Sequence, residues 1–506
     1  MICPHCGFEN EEGQKTCSSC GAALEGIETP EQETPEVETP RRTSIWSWIA
    51  AGLFVALVAA ALWIFKGPGL GQSDPLLYGV LSDTLIPFGQ IGVLENGGSK
   101  ATPLGESSNS LAIAPYSIRA GHTYLSSKGQ LALIANGGLT GQGQLLLVDV
   151  KGGTANTAVE SPLPLTVAGN FQSFSPDGEY FGYTSISADG SALNAVVVNS
   201  RAANVMVAEN MILSQILPDG KHFLAYPLDA LTGNPARLVS VAIPSGEQTV
   251  LFQSASTDVL AGADVVAPDG SIYFVMQRDA GIGIYRLGPD GGEPALIYTF
   301  QQPVSFFGVL SLMPDQKSLL VMDANADASG YALLNVNPED GTATTLATNV
   351  FADFFSDAVF LRQMYGEMVV TFSPDGKHMA YLMQDAAGLG LYVSDLSGQP
   401  GTLIASGGAS YSYAFTPDSQ RLIYIQYAAA AEPTGSLNSA DFSGKSAQLD
   451  ENVTSFNFQK DKLVYFSAQV TDSPYTTLYQ SGMEGQTKSE LLAAQPGYWV
   501  FIKLPN

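Results

Sequence analysis

The sequence predicts an all-β protein built from a repeated multi-strand unit, and three observations support this prediction. Charged residues make up only 14% of the 506 residues, while Gly and Pro number 52 and 29, a composition suited to strands joined by tight turns. A Pro-Asp turn recurs along residues 124–506. Short apolar runs follow most copies of the turn, as expected for strands packed on both faces.

The same residue types recur from one copy of the turn to the next. Pro presets φ for the first corner, Asp accepts hydrogen bonds from the backbone, and Gly takes the left-handed exit, which together make a tight hairpin. The six good copies are Phe174-Ser-Pro-Asp-Gly178, Leu217-Pro-Asp-Gly220, Ala267-Pro-Asp-Gly270, Met313-Pro-Asp-Gln316, Phe372-Ser-Pro-Asp-Gly376 and Phe415-Thr-Pro-Asp-Ser419. Two degenerate copies flank them, Leu125-Ser-Ser-Lys-Gly129 and Phe458-Gln-Lys-Asp461. Consecutive copies are 42 to 60 residues apart, a period typical of propeller blades of four strands.

These units resemble the propeller repeats of the TolB and tricorn-protease type, which are related to the WD-repeat class. The resemblance covers roughly Tyr124 to the C-terminus and implies a multi-bladed β-propeller, a fold used chiefly to bind other macromolecules. Eight copies predict about eight blades, and seven or nine also fit. Residues 91–104 read as the outer hairpin of a blade and residues 498–504 as a lone inner strand. We therefore expect the two ends of residues 76–506 to share one closing blade, which leaves no open sheet edge.

A membrane segment precedes the repeats. Ile45–Phe65 has 21 residues without a charge, long enough as a helix to cross a hydrocarbon core of about 30 Å. Trp46, Trp48 and Trp63 stand at its ends, where indoles favour the headgroup layer. We predict a transmembrane helix over residues 44–66, followed by a Gly-rich tether at 67–75. A cleaved signal peptide is the alternative, but the apolar run is long and begins far from the N-terminus.

The orientation of this segment follows from its flanks. Arg41 and Arg42 precede it and Lys66 follows it, which favours a cytoplasmic N-terminus. All four Cys lie in the first twenty residues, and thiols that bind metal need a reducing compartment. The prediction is a single-pass protein of the cell membrane, with the N-terminus in the cytoplasm and the propeller outside it.

The N-terminal piece, residues 1–24, contains two Cys-x-x-Cys pairs, Cys3/Cys6 and Cys17/Cys20, separated by ten residues. Two such pairs can wrap one tetrahedral Zn²⁺, and four thiolates leave no open position, so the predicted zinc is structural. The segment resembles the short zinc ribbons at the start of many bacterial membrane proteins. A redox dithiol is the alternative role for the Cys pairs, and His5 is expected to be solvated and not to bind the metal. Residues 25–43 carry three Glu-Thr-Pro triplets and are expected to form an extended acidic linker.

The long piece shows no residue pattern that predicts catalysis. There is no Gly-x-Ser-x-Gly, P-loop or His-Glu-x-x-His motif. His222 and His378 occupy one repeat position and are expected to be scaffold, as are the repeated turn aspartates (Asp177, Asp219, Asp269, Asp315, Asp375 and Asp418). The run from Asp323 to Gly330 has oxygen-bearing residues at alternate positions, like the start of a calcium loop. It departs from the EF-hand pattern at Ala328 and Leu334, so a plain polar loop is favoured over calcium.

Net charge is −26, which argues against nucleic acid as a partner. The expected function is a membrane-anchored extracytoplasmic propeller that binds or scaffolds an envelope protein or peptide, without catalysis of its own. Zn²⁺ is the only cofactor expected, and a cytosolic partner of the ribbon is possible in this scheme. The alternatives are a transmembrane ligand sensor and, less favoured, a propeller hydrolase or lyase.

Overall fold

A computed structural model describes most of the predicted repeat region. The described residues are 76–80, 90–95, 98–103, 111–113, 126, 128–136, 143–149, 154–161, 167–186, 192–200, 205–227, 237–254, 258–278, 281–301, 311–324, 330–351, 370–385, 388–429, 432–469, 474–485 and 487–501. The chain divides into two compact units, residues 1–71 and 72–506, and every described residue belongs to the second. The predicted zinc ribbon, acidic linker and membrane helix therefore lie outside the described residues. Within the described part, no helix is long and apolar enough to cross a membrane.

The described strands fall into nine groups of four, which we number I to IX. Group I combines β1 (Leu76–Val80), β2 (Gln90–Glu95) and β3 (Lys100–Pro103) with the last strand, β35 (Trp499–Phe501). Group II has β4 (Leu111–Ile113), β5 (Gln130–Asn136), β6 (Gly143–Asp149) and β7 (Thr154–Ser161). Group III has β8 (Val167–Phe174), β9 (Tyr180–Ile186), β10 (Leu193–Asn199) and β11 (Val205–Ala208). Group IV has β12 (Met211–Ile216), β13 (His222–Pro227), β14 (Arg237–Ala242) and β15 (Gln248–Gln253).

The remaining groups continue in chain order. Group V has β16 (Val259–Val266), β17 (Ile272–Arg278), β18 (Gly281–Leu287) and β19 (Ala295–Thr299). Group VI has β20 (Ser311–Leu312), β21 (Leu319–Ala324), β22 (Tyr331–Val336) and β23 (Ala343–Val350). Group VII has β24 (Val370–Phe372), β25 (Met379–Asp385), β26 (Gly388–Ser394) and β27 (Thr402–Gly408). Group VIII has β28 (Ser410–Phe415), β29 (Leu422–Tyr427), β30 (Gly435–Ala440) and the first half of β31 (Ser446–Gln459). Group IX has the second half of β31 with β32 (Lys462–Gln469), β33 (Tyr475–Ser481) and β34 (Ser489–Pro496).

All pairings between described strands are antiparallel. Strands that are neighbours in a group are also consecutive in the sequence, except for β35 and β1 in group I. Groups I to V are separate four-stranded sheets. Groups VI and VII join through the single pair Val350↔Met383, which gives an eight-stranded sheet. Groups VIII and IX share β31, whose residues up to Val453 pair with β30 and whose later residues pair with β32.

Successive groups pack face to face, which explains the near-continuous apolar strands. Along β13, Phe223 and Ala225 lie in a cluster with group III, while Leu224 and Tyr226 lie in a cluster with group V. Because alternate residues of a strand point to opposite faces, a strand buried on both faces needs apolar residues at every position. Eight such clusters join groups II to IX in order and return from group IX to group I.

Burial also distinguishes the two edges of a group. The first strand is buried, as in β28, where five of six residues are buried. The fourth strand is exposed, as in β19, where no residue is buried. The first strands therefore face the interior of the repeat array and the fourth strands its outside, the arrangement of β-propeller blades.

The ends of the array meet in group I, as the sequence predicts. Strand β35 pairs with β1 through Tyr78↔Phe501, Gly79↔Val500 and Val80↔Trp499, and it takes the first-strand position. The outer hairpin of this group pairs β2 with β3 from Gly92↔Pro103 to Glu95↔Lys100, within the predicted residues 91–104. The Tyr78 and Trp499 rings stack at 4.3 Å with an angle of 4° between their planes. The fold is thus an all-β propeller closed by strands from its two ends.

Candidate functional sites

The predicted metal centre and the predicted hairpins fall in different parts of the chain. Cys3, Cys6, Cys17 and Cys20, with His5, lie outside the described residues, so their geometry is not defined. His122 also lies outside them. The eight hairpins all join the first and second strands of groups II to IX, and they therefore share one end of the array with the third-to-fourth-strand turns. We call this the hairpin end, and the opposite end, where groups are connected to each other, the crossover end.

The hairpin of group III shows how the motif is built. The Ser175 hydroxyl donates to Asp177 Oδ1 at 2.5 Å and accepts from the N–H groups of Glu179 and Tyr180 at 3.0 Å. Gly178 has φ of 67°, which favours glycine, and its N–H donates to the Ser175 carbonyl at 2.8 Å. The carboxylate of Asp177 also accepts from the N–H of Glu179 at 3.0 Å. Hydrogen bonds within the turn, most of which involve the Ser175 and Asp177 side chains, therefore stabilise the hairpin.

In groups IV to VIII, a side chain of the same turn also donates a hydrogen bond to the Asp carboxylate, and this donor stands either before or after the turn. In groups VII and VIII the donor precedes the turn, with Ser373 2.6 Å from Asp375 and Thr416 2.6 Å from Asp418. In groups IV, V and VI an apolar residue stands at that position, and a residue after the turn donates instead. These later donors are the His222 ring to Asp219 at 2.6 Å, the Ser271 hydroxyl to Asp269 at 3.1 Å and the Ser318 hydroxyl to Asp315 at 3.0 Å.

These contacts lower the pKa of several turn carboxylates. The Ser175 hydroxyl is the main cause for Asp177, and the Ser373 hydroxyl is the main cause for Asp375. For Asp219 and Asp315 the largest influence is desolvation, which raises the pKa, but hydrogen bonds to the carboxylates outweigh it. These Asp carboxylates accept hydrogen bonds from within their own turns and so act as turn formers, in agreement with the role predicted from their spacing.

The two histidines at the shared repeat position differ in their surroundings. His222 is part of its own turn through Asp219. The His378 ring instead packs on Phe442 of group VIII, with ring centroids 4.4 Å apart, and its backbone N–H donates to the Ser373 hydroxyl. Both contacts support the hairpin or the junction between groups, which is a scaffold role.

Neighbouring hairpins also contact one another. Lys128 of group II lies 3.3 Å from Glu179 of group III. The backbone N–H of Asp375 in group VII donates to the Ser419 hydroxyl of group VIII at 3.1 Å. Hairpins of neighbouring groups are thus linked by an ion pair in one case and by a hydrogen bond in the other.

A repeated contact between the turns of one group and the edge strand of the preceding group was not predicted from the sequence. In several groups, a left-handed glycine in the turn between the third and fourth strands lies against the fourth strand of the preceding group. A Cβ on Gly341 would lie 2.5 Å from the carbonyl oxygen of Ile297, and a Cβ on Gly398 would lie 2.8 Å from that of Thr345. In group V the N–H of Gly292 donates to the Leu251 carbonyl at 2.9 Å. These turns cover backbone that would otherwise be an open sheet edge. The turn glycines were visible in the sequence, but the edge they approach belongs to another group.

A buried ion pair at the crossover end was also missed. Asp258, whose side chain is only 2% exposed, accepts from Arg278 Nε at 3.2 Å and Nη2 at 3.1 Å. Arg278 also contacts Glu293 at 2.9 Å and lies over the Tyr285 ring at 5.6 Å. No spacing rule links residues 258 and 278, because their pairing depends on the register of β16 and β17.

Asp323, the first residue of the predicted oxygen-rich run, is a second buried carboxylate at this end. It is 3% exposed and lies near the end of β21. Residues 325–329 lie outside the described residues. The run connects the antiparallel strands β21 and β22, and Leu334 is a buried core residue of β22, so the run is not an EF-hand loop.

Comparison with known proteins agrees with this architecture. Residues 2–24 match the zinc-ribbon domain family. No curated protein matches the chain. Among solved structures, a eukaryotic initiation factor is 12% identical with a TM-score of 0.52, over 85% of this chain and 99% of that one. TolB from Acinetobacter baumannii is 15% identical with a TM-score of 0.31, over 65% of this chain and 63% of that one. The tricorn protease is 11% identical with a TM-score of 0.34, over 79% of this chain and 41% of that one. At these identities the likeness to the initiation factor is one of fold alone. The chain therefore has an N-terminal segment that matches zinc ribbons, and residues 76–501 have the fold of a β-propeller.

Proposed function

We propose that this protein is a membrane-anchored, nine-bladed β-propeller that binds a protein or peptide outside the cytoplasm, with a zinc ribbon inside. The observation that carries the proposal is the closure of the array by β1 and β35. It makes residues 76–501 one continuous set of nine four-strand groups, each of which we interpret as a blade. A closed propeller presents loops at two ends and few open strand edges, a surface suited to docking a macromolecule.

The crossover end is the proposed binding surface. Strand β1 occupies the second-strand position, so its first residue, Leu76, lies at the hairpin end. The connections at the other end hold one Arg, Arg362, and no Lys. Their acidic residues are Asp83, Glu106, Asp189, Glu209, Asp229, Asp258, Asp279, Asp327, Asp353, Asp357, Glu367, Glu432 and Asp472. One sign of charge with so few cations favours a Lys- or Arg-rich partner.

A crosslinking pull-down from native membranes tests this proposal, with the full-length chain as bait. We expect a basic envelope protein to be captured in both tagging orientations, and high salt to release it, because salt screens exposed charges. Glu209 and Glu432 are exposed at the crossover end, so E209Q/E432Q should weaken capture. The matched control E247Q/D290N removes two exposed acids from the hairpin end and should not. Equal capture by both variants would contradict the choice of surface. A small molecule that raises the melting temperature, with no protein captured, would favour a ligand sensor or a propeller enzyme instead.

We further propose that Cys3, Cys6, Cys17 and Cys20 hold one structural Zn²⁺. The match of residues 2–24 to zinc ribbons supports this assignment. Metal analysis of the purified chain should give one zinc per chain, and Cys17→Ser should abolish tight binding, since three thiolates no longer close the site. Retention of zinc by the Cys17→Ser variant would refute a four-cysteine site.

A further inference from the structure

The fourth strands of the groups form the outer wall of the propeller, and in five consecutive groups this wall is uncharged. The fourth strands of groups III to VII contain no Asp, Glu, Lys or Arg. These strands are β11, β15, β19, β23 and β27. The fourth strands of the other four groups all carry charge, at Lys100, Glu160, Asp450 with Glu451, and Glu490. We call the five uncharged strands the neutral wall.

The neutral wall also carries most of the exposed large apolar side chains. Six such side chains occur among the described residues, and five of them lie on this wall, each between 44% and 55% exposed. They are Val205 and Val207 of group III, Val250 of group IV, Leu296 of group V and Leu403 of group VII. Four of the five therefore lie on three consecutive groups, III to V. Single exposed apolar residues are ordinary, but several on one surface indicate an interaction site.

Protection of the strand edges does not explain these side chains. Outer strands are commonly protected by charged residues, which prevent pairing with another chain. Here turns of the next group protect the backbone instead. The Gly292 N–H donates to the Leu251 carbonyl, yet Val250 beside it stays exposed. Gly341 likewise lies against the Ile297 carbonyl, while Leu296 beside it stays exposed. The edges are thus covered, and the outward side chains remain available for contact with another surface.

The absence of charge indicates which surface fits this wall. The chain has a net charge of −26, so two copies repel each other wherever acidic surfaces meet. In a two-fold dimer a patch faces the same patch of the second copy, so charges of one sign within it would face like charges. An uncharged apolar patch avoids this penalty. An anionic lipid surface fits less well, because lipid-binding surfaces are rich in Lys and Arg and the neutral wall has neither.

We propose that the protein forms a two-fold dimer in which groups III to V of the neutral wall pack against the same groups of a second copy, with Val250 at the centre. Group IV stands between groups III and V, so Val207 and Leu296 lie on the two sides of Val250. The neutral wall is the side of the propeller, whereas the proposed partner surface is its crossover end. The dimer therefore goes beyond the proposed function and does not depend on it.

Sedimentation velocity of the full-length chain tests the dimer, in a mild detergent because residues 44–66 are predicted to form a membrane helix. We expect the wild type to dimerise at micromolar concentration, since interfaces of standard size give micromolar or tighter affinity. Val250→Glu should weaken association by more than about 100-fold, because like charges then face each other. Leu403→Glu is the matched control. It adds the same charge to a similarly exposed residue of the wall outside groups III to V, and it should dimerise like the wild type.

Two further measurements examine the nature of the contact. A mixture of Val250→Glu and Val250→Lys chains should associate again, because opposite charges then meet at the centre of the patch. High salt should strengthen the wild-type dimer, because it screens the repulsion between acidic chains, whereas it should release a basic partner from the crossover end. The dimer and the proposed function can therefore fail separately. Melting curves show whether each variant is folded, and Val207→Glu decides the question if Val250→Glu is not.

Four results would overturn the proposal. One is a wild type that stays monomeric up to about 100 μM, roughly a hundredfold above the weakest affinities of standard-size interfaces. Another is equal association of Val250→Glu and Leu403→Glu, which would mean that any dimer contact lies elsewhere. A third is failure of the Glu and Lys variants to associate when mixed, because Val250 would then not face its counterpart. The last is a wild-type dimer that high salt dissociates, because its contact would then be electrostatic.

Discussion

Substitution of Tyr78 by Ala tests whether the ends of the chain hold the propeller closed. The Tyr78 side chain is 1% exposed, stacks on Trp499 at 4.3 Å and lies directly over Gly92. Truncation of a buried aromatic residue costs about 3–5 kcal/mol, which includes the lost stacking contact of about 0.5–1.5 kcal/mol. We therefore expect Tyr78→Ala to lower the free energy of unfolding by about 3–5 kcal/mol.

Two control variants separate the ring from other effects. Burial raises the pKa of Tyr78 to about 12, so its hydroxyl is poorly solvated, and Tyr78→Phe, which keeps the stack, should change stability by less than about 1 kcal/mol. Leu403→Ala, at a fourth-strand residue that is 44% exposed, should change it by less than about 0.5 kcal/mol.

The assay can follow the closing group directly. Trp499 is the only Trp after residue 63, so a background with Trp46, Trp48 and Trp63 replaced by Phe leaves it as the sole indole. Urea unfolding is then monitored by Trp499 fluorescence and by far-ultraviolet circular dichroism. If closure holds the whole array, both transitions coincide and both shift in Tyr78→Ala. A dichroism midpoint that stays in place while the fluorescence midpoint falls would refute the reasoning, because group I would then unfold alone.

Two further predictions concern the turns. In urea unfolding, Gly341→Ala should lower the free energy of unfolding by about 1–3 kcal/mol more than Gly407→Ala does. Both residues have positive φ (71° and 77°), but only Gly341 faces a backbone oxygen. Equal losses of unfolding free energy in the two variants would mean that the edge contact is unimportant. The second concerns pH. The folded pKa of Asp375 is lowered, first by Ser373, so its stabilisation is present above the unfolded pKa of about 3.9 and is lost as pH falls through the folded pKa. The difference in melting temperature between the wild type and Ser373→Ala should therefore become smaller as pH falls below about 4. Ser126→Ala is the control, because the Ser126 hydroxyl accepts from the Gln130 N–H in a hairpin that has Lys128 in place of Asp. Its difference in melting temperature from the wild type should not depend on pH. A difference that is also constant with pH for Ser373→Ala would contradict the assignment.

The features that the sequence predicts well are those that short segments determine. Pro, Asp and Gly in one turn define a hairpin without help from elsewhere, so the positions of all eight hairpins follow from the motif. Closure was predictable because β1 and β35 are the strands left over when the complete repeats are removed. The number of groups was harder to predict for the same reason. Group I has no motif, since its first and second strands lie at opposite ends of the chain and no turn joins them.

Contacts between groups could not be predicted, because they depend on how sheets sit against each other. Gly341 reads as an ordinary turn glycine until the Ile297 carbonyl is found beside it. Asp323 likewise reads as part of a polar loop. Its burial and its two hydrogen-bond donors, the Tyr298 hydroxyl and the Gln301 N–H, come from group V and the residues just after it, some 22 to 25 positions earlier in the chain.

The two ends of the propeller differ in how far their acidic residues are committed to the fold. At the hairpin end, carboxylates such as Asp177 and Asp375 accept hydrogen bonds from donors of their own turns, so their positions follow from folding. Acids in the crossover connections follow no repeat motif, and Lys is absent from those connections. Turn formation does not require an excess of one charge there, and like charges near each other oppose folding rather than favour it. A charge pattern that the fold does not need is best explained by a partner, which is why the proposed binding surface lies at the crossover end.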